Sequence, residues 1–169
     1  MRKLIIVAAA IAAASCGGNQ GNLSNQEAQD VASTISDALT AANQPSNDRS
    51  AARVRELLAF TSGVHVSKAC AGGGDLKVDG SLSVSCPTFF SCTFAGSLMV
   101  AAEACTTGTG VTINGTLAAA VSGTGFPVTT VSGTLTVSRP GEPDATCAVN
   151  VKLTLGSRIG GSICGVTLR

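Results

Sequence analysis

The sequence predicts an α+β fold in which a curved antiparallel β-meander of about six strands packs against one or two N-terminal helices. Apolar residues have helical spacing up to about residue 61, and after Gly63 they alternate with polar residues. The alternating part also repeats a short pattern, apolar-x-Gly-Ser/Thr-Leu, at intervals of 16 to 19 residues. Turn residues separate the copies, which is typical of successive antiparallel strands.

The helical part of the domain is predicted over residues 24–61. Ser24 and Glu27 have the spacing of a capping box, which would start the first helix. Apolar residues then follow at helical spacing, and the helix is predicted to end near Asn43, before Pro45. A second, shorter helix with one charged, solvated face is expected between Pro45 and the first strand.

The strand repeat is predicted over residues 64–169. Within each copy the apolar residues and the glycine lie on one face, so one face of the sheet should be buried. A glycine on a buried face weakens a strand, so we expect it either to permit sharp coiling or to let the helix approach closely. The copies cover residues 78–84, 94–100, 113–119, 131–137 and 149–155, the last of which has Val151 in place of the glycine, and a last strand is expected over 162–168.

The chain begins with a leader that ends at a cysteine. Arg2 and Lys3 precede an apolar run of 11 residues, 4–14, which is too short to span a bilayer as a helix. The next residues complete the sequence Ala-Ala-Ser-Cys at positions 13–16. This segment resembles the lipobox of bacterial lipoproteins, in which the cysteine, here Cys16, is lipidated.

The resemblance implies that the chain is cut after residue 15 and that Cys16 carries a diacylglyceryl group, often with an N-acyl chain. Each buried methylene contributes about 0.8 kcal/mol, so two or three chains hold a protein firmly at a membrane. Gly17 stands where an aspartate retains some lipoproteins in the inner membrane, so the cell envelope, at the outer membrane, is the expected location. The alternative is an ordinary secretory signal cut near Ala14, with Cys16 unmodified.

Three segments are therefore expected along the chain. Residues 1–15 are the signal peptide, residues 16–23 are the lipidated cysteine with a small, polar, flexible tether, and residues 24–169 are one domain. No cofactor is expected other than the covalent lipid on Cys16.

Charge and composition restrict the partners of the protein. Of 11 Lys and Arg residues, 9 remain after residues 1–15 are removed, against 10 acidic residues, which gives a mature charge of about −1. The sequence therefore predicts no nucleic-acid surface. The chain has no Trp and no Tyr, which often anchor interfaces. The expected partners are the membrane, through the lipid anchor, and another envelope protein or a lipid ligand.

Six cysteines remain besides Cys16, and an even number in an exported protein indicates disulfides. His65 is the only histidine, so a zinc site is not predicted. Three disulfides among six cysteines can be connected in 15 ways. The six are Cys70, Cys86, Cys92, Cys105, Cys147 and Cys164.

Strand parity bears on how these cysteines pair. Even positions point inward in the two strands that flank the first hairpin turn, so Cys86 and Cys92 are candidate partners across it. The same parity directs Cys105 outward. Cys147 has the inward parity of its strand, and Cys164 is one candidate partner for it. Elimination would then pair Cys105 with Cys70, although other connectivities stay open.

No catalytic constellation is evident, so the protein is predicted not to be an enzyme. His65 lacks an accompanying Gly-x-Ser-x-Gly elbow, and parity places Glu103 on the wet side of its strand. The glycine- and aspartate-bearing segment 72–80 lacks the ligand spacing of an EF-hand and is interpreted as a loop. Residues 106–110 are interpreted as a flexible turn, and the glycosylation pattern at Asn114 as coincidental.

The sequence thus predicts a lipid-anchored bacterial envelope lipoprotein with a non-enzymatic binding or structural domain of unknown specificity. The alternative is a carrier that holds an apolar ligand or lipid between the curved sheet and the helix. A dry cavity of roughly several hundred Å³ at that interface would favour the carrier, and a filled core would count against it.

Overall fold

A computed structural model describes residues 22–42, 59–88, 91–154 and 159–168 of the protein. The predicted signal peptide, Cys16 and most of the tether lie outside the described residues. The second predicted helix also lies outside them.

The helix α1 (Asn25–Ala42) begins where the capping box predicts. The backbone N–H of Ser24 donates to Glu27 Oε2 at 2.7 Å, and the N–H of Glu27 donates to Ser24 Oγ at 3.2 Å. Two of the N–H groups that a helix N-terminus leaves free are thereby satisfied. One side of the helix is buried, through Ala28, Val31, Ala32, Ile35, Ala38 and Leu39.

In the part of the chain that the structure describes, eight antiparallel strands form one sheet in which each strand pairs with the next. The strands are β1 (Ala59–Ala69), β2 (Asp75–Thr88), β3 (Ser91–Thr106), β4 (Thr112–Thr124), β5 (Val128–Ser138), β6 (Ala145–Thr154), β7 (Gly160–Ile163) and β8 (Val166–Leu168). The predicted α+β class and the meander are confirmed, but the number of strands is eight rather than about six.

Two strands account for the difference. The first, β1, begins at Ala59, so the prediction that the helical part extends to residue 61 was wrong. Its ladder with β2 runs from Ala59 opposite Ser85 to Ala69 opposite Asp75, and this pairing outweighs the local helical spacing. The last predicted strand is divided into β7 and β8 because Cys164 and Gly165, with φ of 50° and 79°, form a turn.

The sheet curls around α1. The helix contacts β1 and β2 at one edge of the sheet and β8 at the other edge. Both edges therefore reach the same helix, which shields edge strands that would otherwise expose unpaired backbone groups. The inward face is concave and apolar, and its largest fully buried side chains include Leu76, Ile113, Leu117, Leu135 and Ile163.

Each repeat glycine lies opposite a leucine of the neighbouring strand. A Cβ at Gly80 would lie 3.1 Å from Leu98 Cδ2, and one at Gly133 would lie 3.0 Å from Leu117 Cδ2. The glycine thus lets the backbone and the leucine of the neighbouring strand approach closely, and the expectation that it admits the helix was wrong. The reciprocal pairs are Gly80–Leu98 and Gly96–Leu82 in β2–β3, and Gly115–Leu135 and Gly133–Leu117 in β4–β5.

The structural repeat is consequently a hairpin rather than a single strand. In the β6–β7 hairpin a glycine again lies opposite an apolar residue, with Gly161 opposite Val151 and Ile163 opposite Val149. The copy of the repeat in β6 has Val151 at the glycine position and keeps the leucine as Leu153.

Candidate functional site

Arg139 holds the start of the domain, next to the predicted lipid attachment. Its Nη2 donates to the backbone oxygen of Asn22 at 2.6 Å, and its Nη1 donates to Glu142 Oε2 at 2.6 Å. Its Nε lies 3.0 Å from Glu27 Oε1, a close ion pair that is not aligned as a hydrogen bond. Arg139 and Glu27 are each 21% exposed, so solvent screens this pair only partly. One guanidinium thus joins the end of the tether, α1 and the β5–β6 turn.

Glu27 links this ion pair to the helix cap. The N–H of Ser24 lowers the pKa of Glu27 below its usual value, and burial opposes this effect. The Ser24 hydroxyl and the positive charge of Arg139 lower the pKa of Glu27 further. The carboxylate therefore stays charged, which also suits its place in the first turn of a helix.

Asp30 joins α1 to the turn between β3 and β4. Its Oδ2 accepts hydrogen bonds from the Thr109 N–H at 2.7 Å and from the Thr109 hydroxyl at 2.9 Å. Burial acts to raise the pKa of Asp30, but hydrogen bonds from Thr109, Thr107 and Gly108 together lower it. The turn that was predicted to be flexible is therefore attached to the helix.

A depression of about 520 Å³ lies beside this contact and is open to solvent. Its lining is about equally polar and apolar and comes from one side of α1 and from the β3–β4 turn. It lacks the enclosed, mostly apolar form of a small-molecule pocket. The lining residues are Gln26, Gln29, Asp30, Ser33, Gly108 and Thr109.

Three disulfides close the domain, and they include the pair predicted across the first hairpin turn. The other two also match the predicted candidates: Cys147 pairs with Cys164, and Cys70 pairs with Cys105. The pair across the first hairpin turn joins Cys86 to Cys92.

Cys105 was predicted to point outward, and this was wrong because its side chain is fully buried. A bulge lies between Ala102 and Cys105, where Ala104 has a φ of 46°. The extra residue reverses the alternation of β3 and turns Cys105 inward. The side chain of Asn114 supports the bulge, because its Oδ1 accepts a hydrogen bond from the Ala104 N–H at 2.6 Å.

The glycine-rich loop between β1 and β2 packs against the same bulge. The Gly72 N–H donates to Thr106 O, and the Thr106 N–H donates to Gly73 O, both at 2.9 Å. A Cβ at Gly74 would overlap the carbonyl of Ala104. Close backbone approach therefore explains the glycines of this loop. Within the described part of the chain, no three His, Cys, Asp or Glu residues are grouped so that they could hold a metal ion.

His65 and Asp79 form an exposed pair on the outer face of the sheet. His65 Nδ1 lies 2.7 Å from Asp79 Oδ1, and the two side chains are 80% and 56% exposed. A base with a carboxylate partner is thus present, but it lacks the cleft that excludes water from a hydrolase site. Glu103 lies on the wet side as predicted, where it accepts a hydrogen bond from Lys77 Nζ at 2.6 Å.

Among the described residues, the buried side of α1 lines no lipid-sized void. A cavity of that size would leave exposed area on the side chains that line it. The buried side chains of α1 have at most 2% of their surface exposed: Ala28, Val31, Ala32, Ile35, Ala38 and Leu39. The small residues of the helix therefore let it pack closely on the core.

Comparisons with protein families, with curated proteins and with solved structures find no match. Among the described residues, no helix is both long enough and apolar enough to cross a membrane.

Proposed function

We propose that the protein is a lipid-anchored lipoprotein of the bacterial cell envelope, at the outer membrane. Its domain binds or supports another envelope component and catalyses no reaction. The supporting observation is the use of cysteine. Six of the seven cysteines are paired in disulfides, which suit an oxidising compartment, and the seventh, Cys16, ends the leader.

The contact between Arg139 and Asn22, at the start of the domain, also supports this proposal. Arg139 binds the backbone of Asn22, so only residues 17–21 separate Cys16 from a residue that is held by the domain. Fully extended, the chain from Cys16 to Asn22 reaches at most about 20 Å. A lipid on Cys16 would therefore hold the domain close to the membrane surface.

The lipid anchor can be tested by labelling with radioactive palmitate in a bacterial host. The wild-type protein should take up label and fractionate with membranes, whereas Cys16→Ser should remain unlabelled. Ser15→Ala is a matched control that keeps a small residue before the cysteine and should be labelled. Unlabelled wild-type protein, in cells whose own lipoproteins take up label, would overturn the proposal.

We favour a binding or structural role over the carrier because the buried side of α1 packs closely on the sheet. Native mass spectrometry of the detergent-purified protein distinguishes the two. The proposed role predicts the mass of the mature chain with its covalent lipid alone. A stoichiometric second lipid, released on unfolding, would instead support the carrier.

A further inference from the structure

Charged side chains are almost absent from the middle of the sheet. Between Asp79 and Arg139 the only charged residue is Glu103, and this stretch contains β3, β4 and β5. The outward side chains of these strands are small, and most carry a hydroxyl or a methyl group. We define the uncharged face as this outer surface of β3–β5, without the end of β3 that carries Glu103, together with the β4–β5 turn; it includes Ala95, Ser97, Ala118, Ala120, Ser132 and Thr134, all exposed.

Among the described residues, two large hydrophobic side chains are exposed on the uncharged face. Met99, in the middle of β3, is 56% exposed, and Phe126, in the β4–β5 turn, is 74% exposed. The turn is attached to its neighbour, because the Gly125 N–H donates to Cys92 O at 2.8 Å and Cys92 is in a disulfide with Cys86. Phe126 is thus presented by a supported turn.

The opposite side of the molecule carries several charged groups. The helix contacts β1, β2 and β8, so it lies across the domain from the central strands β4 and β5. It carries Glu27, Asp30 and Asp37, and Arg139 and Lys68 form ion pairs with Glu27 and Asp37. A bilayer disfavours the burial of charged groups, including those in ion pairs. Of the two sides, only the uncharged face avoids this penalty.

We propose that the uncharged face lies on the bilayer to which Cys16 is anchored, with Met99 and Phe126 inserted at the lipid headgroups. This inference rests on the proposed lipid anchor. A convex sheet touches a flat surface along its central strands, and Glu103, towards the end of β3, is the only charged residue of β3–β5. Two inserted side chains bind weakly by themselves, but a tether of at most about 20 Å keeps the face at a high effective concentration near the lipid.

Neutron reflectometry of the mature, lipidated protein on a supported bilayer of phosphatidylethanolamine and phosphatidylglycerol can test this orientation. A domain lying on its uncharged face gives a protein layer of roughly 25–30 Å, the thickness of a sheet around a helix. An upright domain gives roughly 50 Å, because β3 has 16 residues at about 3.3 Å each. We expect the thin layer.

The double variant Met99→Glu/Phe126→Glu should give the thick layer, since it places two charges against the lipid. Gln29→Glu/Thr40→Glu adds the same charge on exposed positions of α1 and should keep the thin layer. Far-UV circular dichroism checks that both variants fold. A thick wild-type layer, or a thin layer with the Met99/Phe126 variant, would refute membrane contact and leave the face free for a protein partner. A bilayer that retains no protein would refute the anchor itself, and this inference with it.

Discussion

One methyl group added at Gly80 tests whether the Gly–Leu pairing determines the sheet. Gly80 has a φ of 151°, which side-chain-bearing residues rarely adopt. A Cβ there would overlap Ser97 O and lie 2.8 Å from Leu98 Cα. These are backbone atoms of β3, so they cannot yield unless the β2–β3 ladder shifts.

The two effects can be sized separately. An unfavourable backbone conformation costs about 1–3 kcal/mol, and overpacking costs about 1–3 kcal/mol. Gly80→Ala should therefore lower the free energy of unfolding by about 4 kcal/mol. Gly63→Ala is the matched control, because a Cβ there would meet only His65 Nε2, at 3.8 Å, on the exposed face. It should be neutral or stabilise by about 0.4–1 kcal/mol, through the unfolded chain.

Urea unfolding of the disulfide-bonded protein, followed by far-UV circular dichroism, measures both changes. The chain has no Trp or Tyr, so intrinsic fluorescence is a poor probe. Equal effects of Gly80→Ala and Gly63→Ala would refute the reasoning, because they would mean that the backbone contact between β2 and β3 does not constrain this position.

Three further predictions concern the contacts around α1 and the bulge. Arg139→Ala should lower the free energy of unfolding by about 1–2 kcal/mol in urea, whereas the exposed Lys152→Ala should change it by less than about 0.5 kcal/mol; equal losses would contradict the role of the guanidinium. Asn114→Ala removes the acceptor of the exposed Ala104 N–H and should cost about 0.5–1.5 kcal/mol; an unchanged urea midpoint would show that the bulge needs no such support. The pKa of Asp30 is lowered by folding, so its contribution is present above the unfolded pKa of about 3.9 and is lost as pH falls through the folded pKa. Asp30→Asn should therefore reduce the fall of the melting temperature below about pH 4, and an identical acid profile would contradict this.

Local signals allowed much of the fold to be predicted. The capping box at Ser24 marked the start of α1, and strand parity placed Cys86 and Cys92 together. Parity failed at Cys105 because the bulge depends on Ala104, a residue type that gives no sign of a positive φ. The alternation of apolar and polar residues also failed to indicate the start of β1, because the inward position 62 is a serine rather than an apolar residue.

The contacts around the candidate site could not be predicted in the same way. Arg139 meets Asn22 across 117 positions of sequence, and Asp30 meets Thr109 across 79. Such contacts depend on how the sheet curls around α1, which no local pattern encodes. The uncharged stretch before Arg139 is visible in the sequence, but only the strand order places it opposite the acidic helix.

The most direct measurement of the central claim is the intact mass of the mature protein purified from membranes, with fragmentation of its N-terminal peptide. We expect a mature chain that begins at Cys16, with a diacylglyceryl group on the sulfur and three disulfides in the domain. A mature chain with an unmodified thiol at Cys16, from cells that lipidate their other lipoproteins, would contradict it.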